Sequence, residues 1–303
     1  MNKKQTIIVI LGPTASGKTE LAIETAELLN GEIISADSML VYKGMDIGTA
    51  KPSNSELSKI PHYLIDIIEP YEDYDVSNFI KDAKKAIKDI LEKGKIPIIC
   101  GGTNYYVYSL LEGEYEGPDT NEEIRKRLEN IAEQKGSDCL YEMLEKVDSE
   151  SIKRIHKNNV KRVIRALEVY EITGKPVSEM KKTKGINDKY NIVKIGILTE
   201  KKELAVRIEQ RIDKMFEAGL IDEVKGLIKK GIKKSKTARQ AVGYKEVIKS
   251  LEENMLDIDV LKAEIAQDTR HLVKKQLTWL KKDSKILWNN KKELGIFLSE
   301  MYA

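Results

Sequence analysis

The chain has 303 residues, 41% hydrophobic and 33% charged, enough to bury one large or two modest cores beneath a heavily charged surface. No apolar run approaches the ~20 residues that span a bilayer, and the run after residue 5 is too short for a signal peptide, so a cytoplasmic protein is expected. Two cysteines, Cys100 and Cys139, are too few for a disulfide framework or a cysteine zinc site, and a net charge of +3 says nothing by itself about nucleic acid.

Thr6 to Leu11 is an unbroken, β-branched run that reads as a buried strand. Gly12-Pro13-Thr14-Ala15-Ser16-Gly17-Lys18-Thr19 follows and fits GxxxxGK(S/T) without a mismatch. Leu21, Ala22, Thr25, Leu28 and Leu29 then recur at helical spacing, and Gly31 is placed to stop that helix. In this setting the loop's N–H groups and the helix N-terminus converge on one spot, which favours a pyrophosphate. Lys18 adds a point charge there, and the Thr19 hydroxyl is placed for Mg²⁺.

Glu32 to Ala36 predicts a second strand, and His62 to Ile68 a third between Pro61 and Pro70. Phe79, Ala83, Ala86, Ile87, Ile90 and Leu91 mark an amphipathic helix that stops at Gly94. Lys95 to Cys100 is a further buried strand, ended by Gly101-Gly102. The alternation predicts an α/β fold, a P-loop parallel sheet flanked by helices, with ligands at the carboxyl ends of the strands. From about Asp119 to Tyr190 only helical periodicity is present, broken at Gly136, Asp148 and Gly174-Lys175-Pro176. A strand returns at Ile192 to Leu198. This layout predicts a first part of the core over 1–118, an all-helical insertion domain over 119–190, and a return strand with C-terminal helices over 191–303. One of those helices, from Leu204, carries Ile208, Ile212, Met215 and Phe216 on one face. Another, Leu261 to Lys282, would turn Ile265, Thr269, Leu272, Gln276 and Leu280 inward.

Three polar groups thus converge on one sheet edge: the P-loop, Asp37-Ser38 and Thr103-Asn104. Asp37 could hold Mg²⁺, act as general base, or merely cap the next turn. Thr103 could cap the helix of Tyr106, Val107, Leu110 and Leu111, while the two preceding glycines let backbone approach a ligand. Arg207 and Arg211 are four apart and share a helix face, suited either to a second grip on a pyrophosphate or to surface pairing with Glu203 or Glu209. The basic clusters at Lys233, Lys234, Lys236 and Arg239, and at Arg270, Lys274, Lys275, Lys281 and Lys282, read as solvated helix faces or RNA contacts. So does the patch Lys157, Lys161, Arg162 and Arg165. His62, His156 and His271 lack ligand-like spacing. Tyr105, Tyr106 and Tyr108 read as packing or solvent-facing residues, Trp279 and Trp288 as core or interface.

Longer blocks carry a family resemblance. GPTASGKT, ISADSMLVYKGMDIGTAKP (Ile34 to Pro52), PHYLIDI (Pro61 to Ile67), ICGGTNYY (Ile99 to Tyr106), RALEVYEITGK (Arg165 to Lys175), RIEQRID (Arg207 to Asp213) and AVGYKE (Ala241 to Glu246) occur in order along nearly the whole chain. Together they resemble the tRNA dimethylallyltransferase family, in its bacterial form without the zinc-finger extension of eukaryotic members. The resemblance implies transfer of a dimethylallyl group from dimethylallyl diphosphate to N6 of the adenosine directly 3′ of the tRNA anticodon. The P-loop residues Gly12, Pro13, Thr14, Ala15, Ser16, Gly17, Lys18 and Thr19 would then hold the diphosphate, with Arg211 and Arg207 gripping it from the far side. Mg²⁺ would sit by Thr19. Asp37 would accept the N6 proton, Thr103 would orient the reacting centre, and Lys18 and Arg211 would act in the chemical step. Asp37, Ser38, Met39, Leu40 and Thr103 match the family's tRNA-contacting segments, as do Arg125, Lys161, Arg162, Val163, Ile164 and Arg165. Gln240, Ala241, Val242, Gly243, Tyr244 and Lys245 match them too. The expected partners are the anticodon stem-loop of tRNA and dimethylallyl diphosphate, with no membrane and a monomeric protein. The rivals are an ATP-binding P-loop kinase, for which Asp66 is a fair Walker B candidate, and a GTPase-like or RNA-binding switch protein, for which an NKxD motif is missing.

Overall fold

A computed structural model describes residues 4–302. The chain forms two compact units, residues 1–111 with 186–303, and residues 112–185.

In the first unit, β1 (Thr6–Leu11) leads through the P-loop into α1 (Lys18–Leu29) and β2 (Gly31–Ser35). A short α2 (Asn54–Lys59), β3 (His62–Tyr63), the long α3 (Val76–Glu92), β4 (Ile96–Cys100) and α4 (Asn104–Glu112) complete its first half. All six strands of the sheet are parallel, in the order β3-β2-β4-β1-β5-β6 once the two later strands are added. The expected α/β architecture is therefore present. β1 is apolar without alternation because both sheet faces are covered: Ile7, Val9 and Leu11 pack on one side, Ile8 and Ile10 on the other.

The third strand is shorter than its sequence suggests. His62–Ile68 was expected to be extended throughout, but pairing ends at Tyr63 because Leu64 and Asp66 take left-handed conformations with φ of 64° and 55°. Beyond Tyr63 the chain bonds instead to residues 40–43: Asp66 N–H donates to Leu40 O, Ile67 N–H to Val41 O, and Tyr42 bridges Ile68.

In the second unit, α5 (Glu122–Lys135), α6 (Ser137–Val147) and α7 (Val160–Thr173) surround Leu128, Leu140, Leu144, Val163, Ile164 and Leu167. The boundaries differ from the expected 119–190, because the strands of chain entering and leaving the unit pair with each other. Thr183 N–H donates to Glu114 O, Glu116 N–H to Lys181 O, and Tyr115 bridges Lys182 antiparallel. Residues 186–190 belong instead to the first unit, where Ile186 N–H donates to Leu110 O.

The first unit resumes with β5 (Asn191–Ile197), α8 (Lys201–Glu217), α9 (Leu220–Lys229), α10 (Tyr244–Glu252), α11 (Ile258–Leu280), β6 (Leu287–Asn289) and α12 (Lys291–Tyr302). On α11 the buried stripe is Ile265, Thr269, Val273, Gln276 and Leu280; the expected Leu272 is exposed and Val273 takes its place. The stripe advances by four, four, three and four residues, the spacing of one helix face. No helix of the described residues is long and apolar enough to cross a membrane.

Candidate active site

Three neighbouring strands, β2, β4 and β1, end at one edge and deliver there the Asp37 loop, the Thr103 loop and the P-loop. Hydrogen bonds stitch those ends beyond the strands, from Ala36 N–H to Cys100 O at 2.8 Å and from Thr103 N–H to Ala36 O at 3.1 Å. Gly101 is required there, since a Cβ on it would lie 2.1 Å from Ala36 O.

The P-loop turns through Gly12, Ala15 and Gly17, at φ of 155°, 66° and 89°, and Gly17 precedes the first turn of α1. Lys18 Nζ donates to Pro13 O at 2.6 Å, folding the side chain back over the loop. Thr19 is exposed, and the buried Ser16 Oγ has no hydrogen-bond partner among the described residues. Burial pushes the Lys18 ammonium below the usual lysine range, with the Arg211 charge adding to the effect while Cys100 and Asp37 oppose it. Burial likewise pushes the Cys100 thiol up to about 11.

Arg211, on α8, is half-buried and donates to Thr49 O at 3.0 Å. Burial lowers its pKa too, and Asp37 works against that. Neither Lys18 nor Arg211 has a carboxylate within ion-pair distance among the described residues, which leaves two desolvated cations facing one cleft. Arg207 is different. It is exposed and paired with Glu203 at 2.6 Å, and it reaches the P-loop only through a long contact with Ala15 O at 3.5 Å. The cleft is about 980 Å³ and is lined by the P-loop, Asp37, Gly101, Gly102, Arg207 and Arg211 among others.

Asp37 and Thr103 meet at the neighbouring loop. Asp37 Oδ1 accepts from Met39 N–H at 2.9 Å, so one oxygen does cap a turn, while Oδ2 has no hydrogen-bond partner among the described residues. Thr103 does not cap α4 with its side chain: its Oγ1 accepts from Ser38 N–H at 3.0 Å and donates to Ser38 Oγ at 3.1 Å. Leu40 O accepts from Asp66 N–H. Asp66 itself is ion-paired with Lys51, which also donates to Asp46 at 2.6 Å and to Tyr42 O at 3.1 Å.

Other expected contact residues are less available. Val163 and Ile164 are 1% and 5% exposed and form the core of the helical unit, so neither offers its side chain to a partner. Arg125 and Arg165 of that unit both bind the buried Glu168, and Arg165 also donates to Pro118 O. Lys161 and Arg162 are exposed and carry no ion pair among the described residues. In the first unit Tyr244 is fully buried, its hydroxyl donating to Glu223 at 2.6 Å. That carboxylate also accepts from the N–H groups of Asp46, Ile47 and Gly48. Ala241 and Gly243 are buried, Gly243 N–H donates to Glu246, Val242 is half-buried, and Lys245 is tied to Asp268; Gln240 is exposed. Tyr106 stacks on Phe79 at 4.6 Å, whereas Tyr105 and Tyr108 lie against Trp279.

The loop set has known relatives. Residues 40–283 match the family model described as IPP transferase, and residues 5–67 that of isopentenyl transferase. The chain belongs to the IPP transferase family. It is 47% identical over 285 residues to a tRNA dimethylallyltransferase of Carboxydothermus hydrogenoformans, covering 93% of this chain and 91% of the relative. It is 47% identical over 292 residues to one of Acetivibrio thermocellus, covering 95% and 92%. Among solved structures, it is similar to the tRNA isopentenylpyrophosphate transferase of Bacillus halodurans, with TM-score 0.71, 37% identity and coverage of 99% and 97%. A eukaryotic dimethylallyltransferase acting on tRNA superposes with TM-score 0.79 at 29% identity, covering 95% of this chain and 74% of that one. The enzyme is thus a prenyltransferase, and the resemblance carried by the sequence blocks is confirmed at the level of the family.

Proposed function

We propose that the protein transfers the dimethylallyl group of dimethylallyl diphosphate to N6 of the adenosine 3′-adjacent to the tRNA anticodon. The observation that carries this reading is the pair Lys18 and Arg211: two desolvated cations whose hydrogen bonds go to carbonyl oxygens, beside the Asp37 carboxylate, whose Oδ2 has no hydrogen-bond partner among the described residues. These two cations lack an anionic partner within ion-pair distance among the described residues, and a diphosphate supplies one.

The C1–O bond of the prenyl group breaks with its electron pair leaving on the diphosphate. The N6 lone pair forms the N6–C1 bond, and the N6 proton passes to Asp37 Oδ2. An exocyclic amine is a weak nucleophile because its lone pair is shared with the ring, so alignment and charge stabilisation carry most of the acceleration. Lys18 and Arg211 stabilise the departing charge, Arg207 adds a screened contact at the P-loop, and Thr103 fixes Ser38 beside Asp37. The acceptor base must leave its stack to reach this edge.

Among the described residues no group of three His, Cys, Asp or Glu side chains could hold a metal by itself. The residues present fit Mg²⁺ in a different way, since this ion keeps waters and takes substrate phosphate oxygens with few protein ligands. The Thr19 hydroxyl at the start of α1 would hold it, and Mg²⁺ when bound supplies further neutralisation of the diphosphate.

The test is incubation with radiolabelled dimethylallyl diphosphate and unmodified tRNA. Label is expected in the anticodon loop, and Lys18→Ala is expected to lose ~10²–10³ in transfer rate, the usual cost of removing one charge-stabilising donor. Phosphate transfer from ATP to a small acceptor, with no prenylated RNA, would overturn the reading.

A further inference from the structure

Gln276 is an amide within the apolar stripe of α11, 6% exposed, with Val273 and Leu280 on the same face. Burying an amide there is costly unless both its donor and its acceptor are used. Both are. Its Oε1 accepts from Thr14 N–H at 2.8 Å and from Thr14 Oγ1 at 3.3 Å, and its Nε2 donates to Gly102 O at 2.9 Å. The backbone carbonyl of the same residue accepts from Asn104 Nδ2 at 3.1 Å.

These partners lie on opposite sides of the reaction. Thr14 belongs to the diphosphate cradle. Gly102 and Asn104 flank Thr103, which holds Ser38 beside the proposed base. A Cβ on Gly102 would lie 2.9 Å from Gln276 Nε2 and 3.6 Å from Asp37 Oδ2, so amide and carboxylate approach the same glycine. One planar group with a donor and an acceptor thereby joins an N–H of one loop to a C=O of the other. Lysine lacks the acceptor, an ionised glutamate lacks the donor, and leucine leaves the Thr14 N–H and the Gly102 carbonyl without this partner.

We propose that Gln276 is a positioning residue that sets the spacing between the leaving diphosphate and the Asp37–Thr103 loop. The proposal rests on the prenyl-transfer reading above. It touches no reacting atom, so its effect falls on alignment, where a displacement of about 1 Å can cost ~10² in rate.

Two variants test it. Gln276→Met keeps length and burial but removes all three side-chain hydrogen bonds, so single-turnover transfer should fall by ~10–10². Affinities for inorganic pyrophosphate and for tRNA should stay within a fewfold of the parent. Gln276→Glu adds a readout that loss of packing cannot give. A protonated carboxyl presents an O–H donor and a C=O acceptor, as the amide does, whereas the ionised form repels the Gly102 carbonyl and the Asp37 carboxylate. Its rate relative to the parent, measured in the same buffers, should therefore rise as pH falls. A Gln276→Glu profile parallel to the parent's overturns the proposal, as does a Gln276→Met rate within a fewfold of the parent's or one that falls only in step with pyrophosphate or tRNA affinity. If the parent enzyme itself places no label in tRNA, it is the function that fails, before any variant is compared.

Discussion

The cleft and the helical unit both contain half-buried arginines, yet they answer them in opposite ways. In the cleft, Arg211 and the neighbouring Lys18 bind only carbonyl oxygens, those of Thr49 and Pro13. In the helical unit, Arg125 and Arg165 converge on Glu168, whose side chain is 0% exposed and which also accepts from Asn121 N–H. A cation held by a carbonyl keeps its full charge for an incoming anion. One held by a buried carboxylate has already spent most of it on the fold. What assigns a basic residue to ligand binding is therefore the partner it lacks rather than the charge it carries.

The sharpest way to break this comparison is to remove the carboxylate whose charge acts on both Lys18 and Arg211, that of Asp37. Asp37→Asn preserves the Oδ1 acceptor for Met39 N–H, hence the turn, but Oδ2 is replaced by an amide that cannot take a proton. Single-turnover transfer should fall by ~10²–10⁴, the range for loss of a general base, with melting temperature and tRNA affinity held. A rate within a fewfold of the parent would reduce Asp37 to a cap.

How far such roles can be read without coordinates depends on how local they are. The P-loop, β1 and α1 follow from contiguous residues, so the strand, turn and helix around Gly12 to Thr19 were legible. The convergence of Asp37 and Thr103 was legible too, because a parallel sheet sends its ligand loops to one edge. The third strand was not: left-handed Leu64 and Asp66 accompany contacts from elsewhere, Asp66 N–H to Leu40 O and the Asp66–Lys51 ion pair. Nor was the fate of Arg125, which meets Glu168 across 43 positions; Arg165 pairs with the same carboxylate at i,i+3, a spacing the sequence does show. Gln276 carried a weak signal, an amide on a mostly apolar face, but its partners lie 262 and 174 positions away.

Breaking the other half of the comparison should change stability before it changes chemistry. Burial pushes the Glu168 carboxyl up, but Arg165, Asn121 N–H and Arg125 outweigh it and hold the group below the ordinary carboxylate range. Its contribution is therefore complete above the unfolded pKa near 4.5 and is lost as pH falls through the lower folded value. Glu168→Gln should cost about 2–3 kcal/mol, less than for a fully buried pair because water still reaches both guanidinium groups. Those groups belong to side chains 31% and 36% exposed. Hydrogen exchange should quicken in α5 and α7 while β1 and β4 keep their protection. Unchanged exchange in α5 and α7 would remove Glu168 as the organiser of that unit.

The smallest effect separates the remaining cations of the helical unit from the committed ones. Lys161 and Arg162 open α7 on its exposed side without an ion pair among the described residues, whereas Arg165, one turn on, is bound to Glu168 and Pro118 O. If RNA phosphates are read by free charge, each of the first two should contribute one counterion-releasing contact. Replacing either by alanine should then lower the slope of log K against log salt by about 1, leaving transfer from saturating substrates nearly unchanged. Arg165→Ala should lower that slope less and disturb the exchange of α5 and α7 more, because the charge it removes is the one already paired. Equal slope changes for Arg162→Ala and Arg165→Ala would show that the Glu168 pairing gives way when RNA arrives. The contrast drawn from the free enzyme would then hold for the cleft alone.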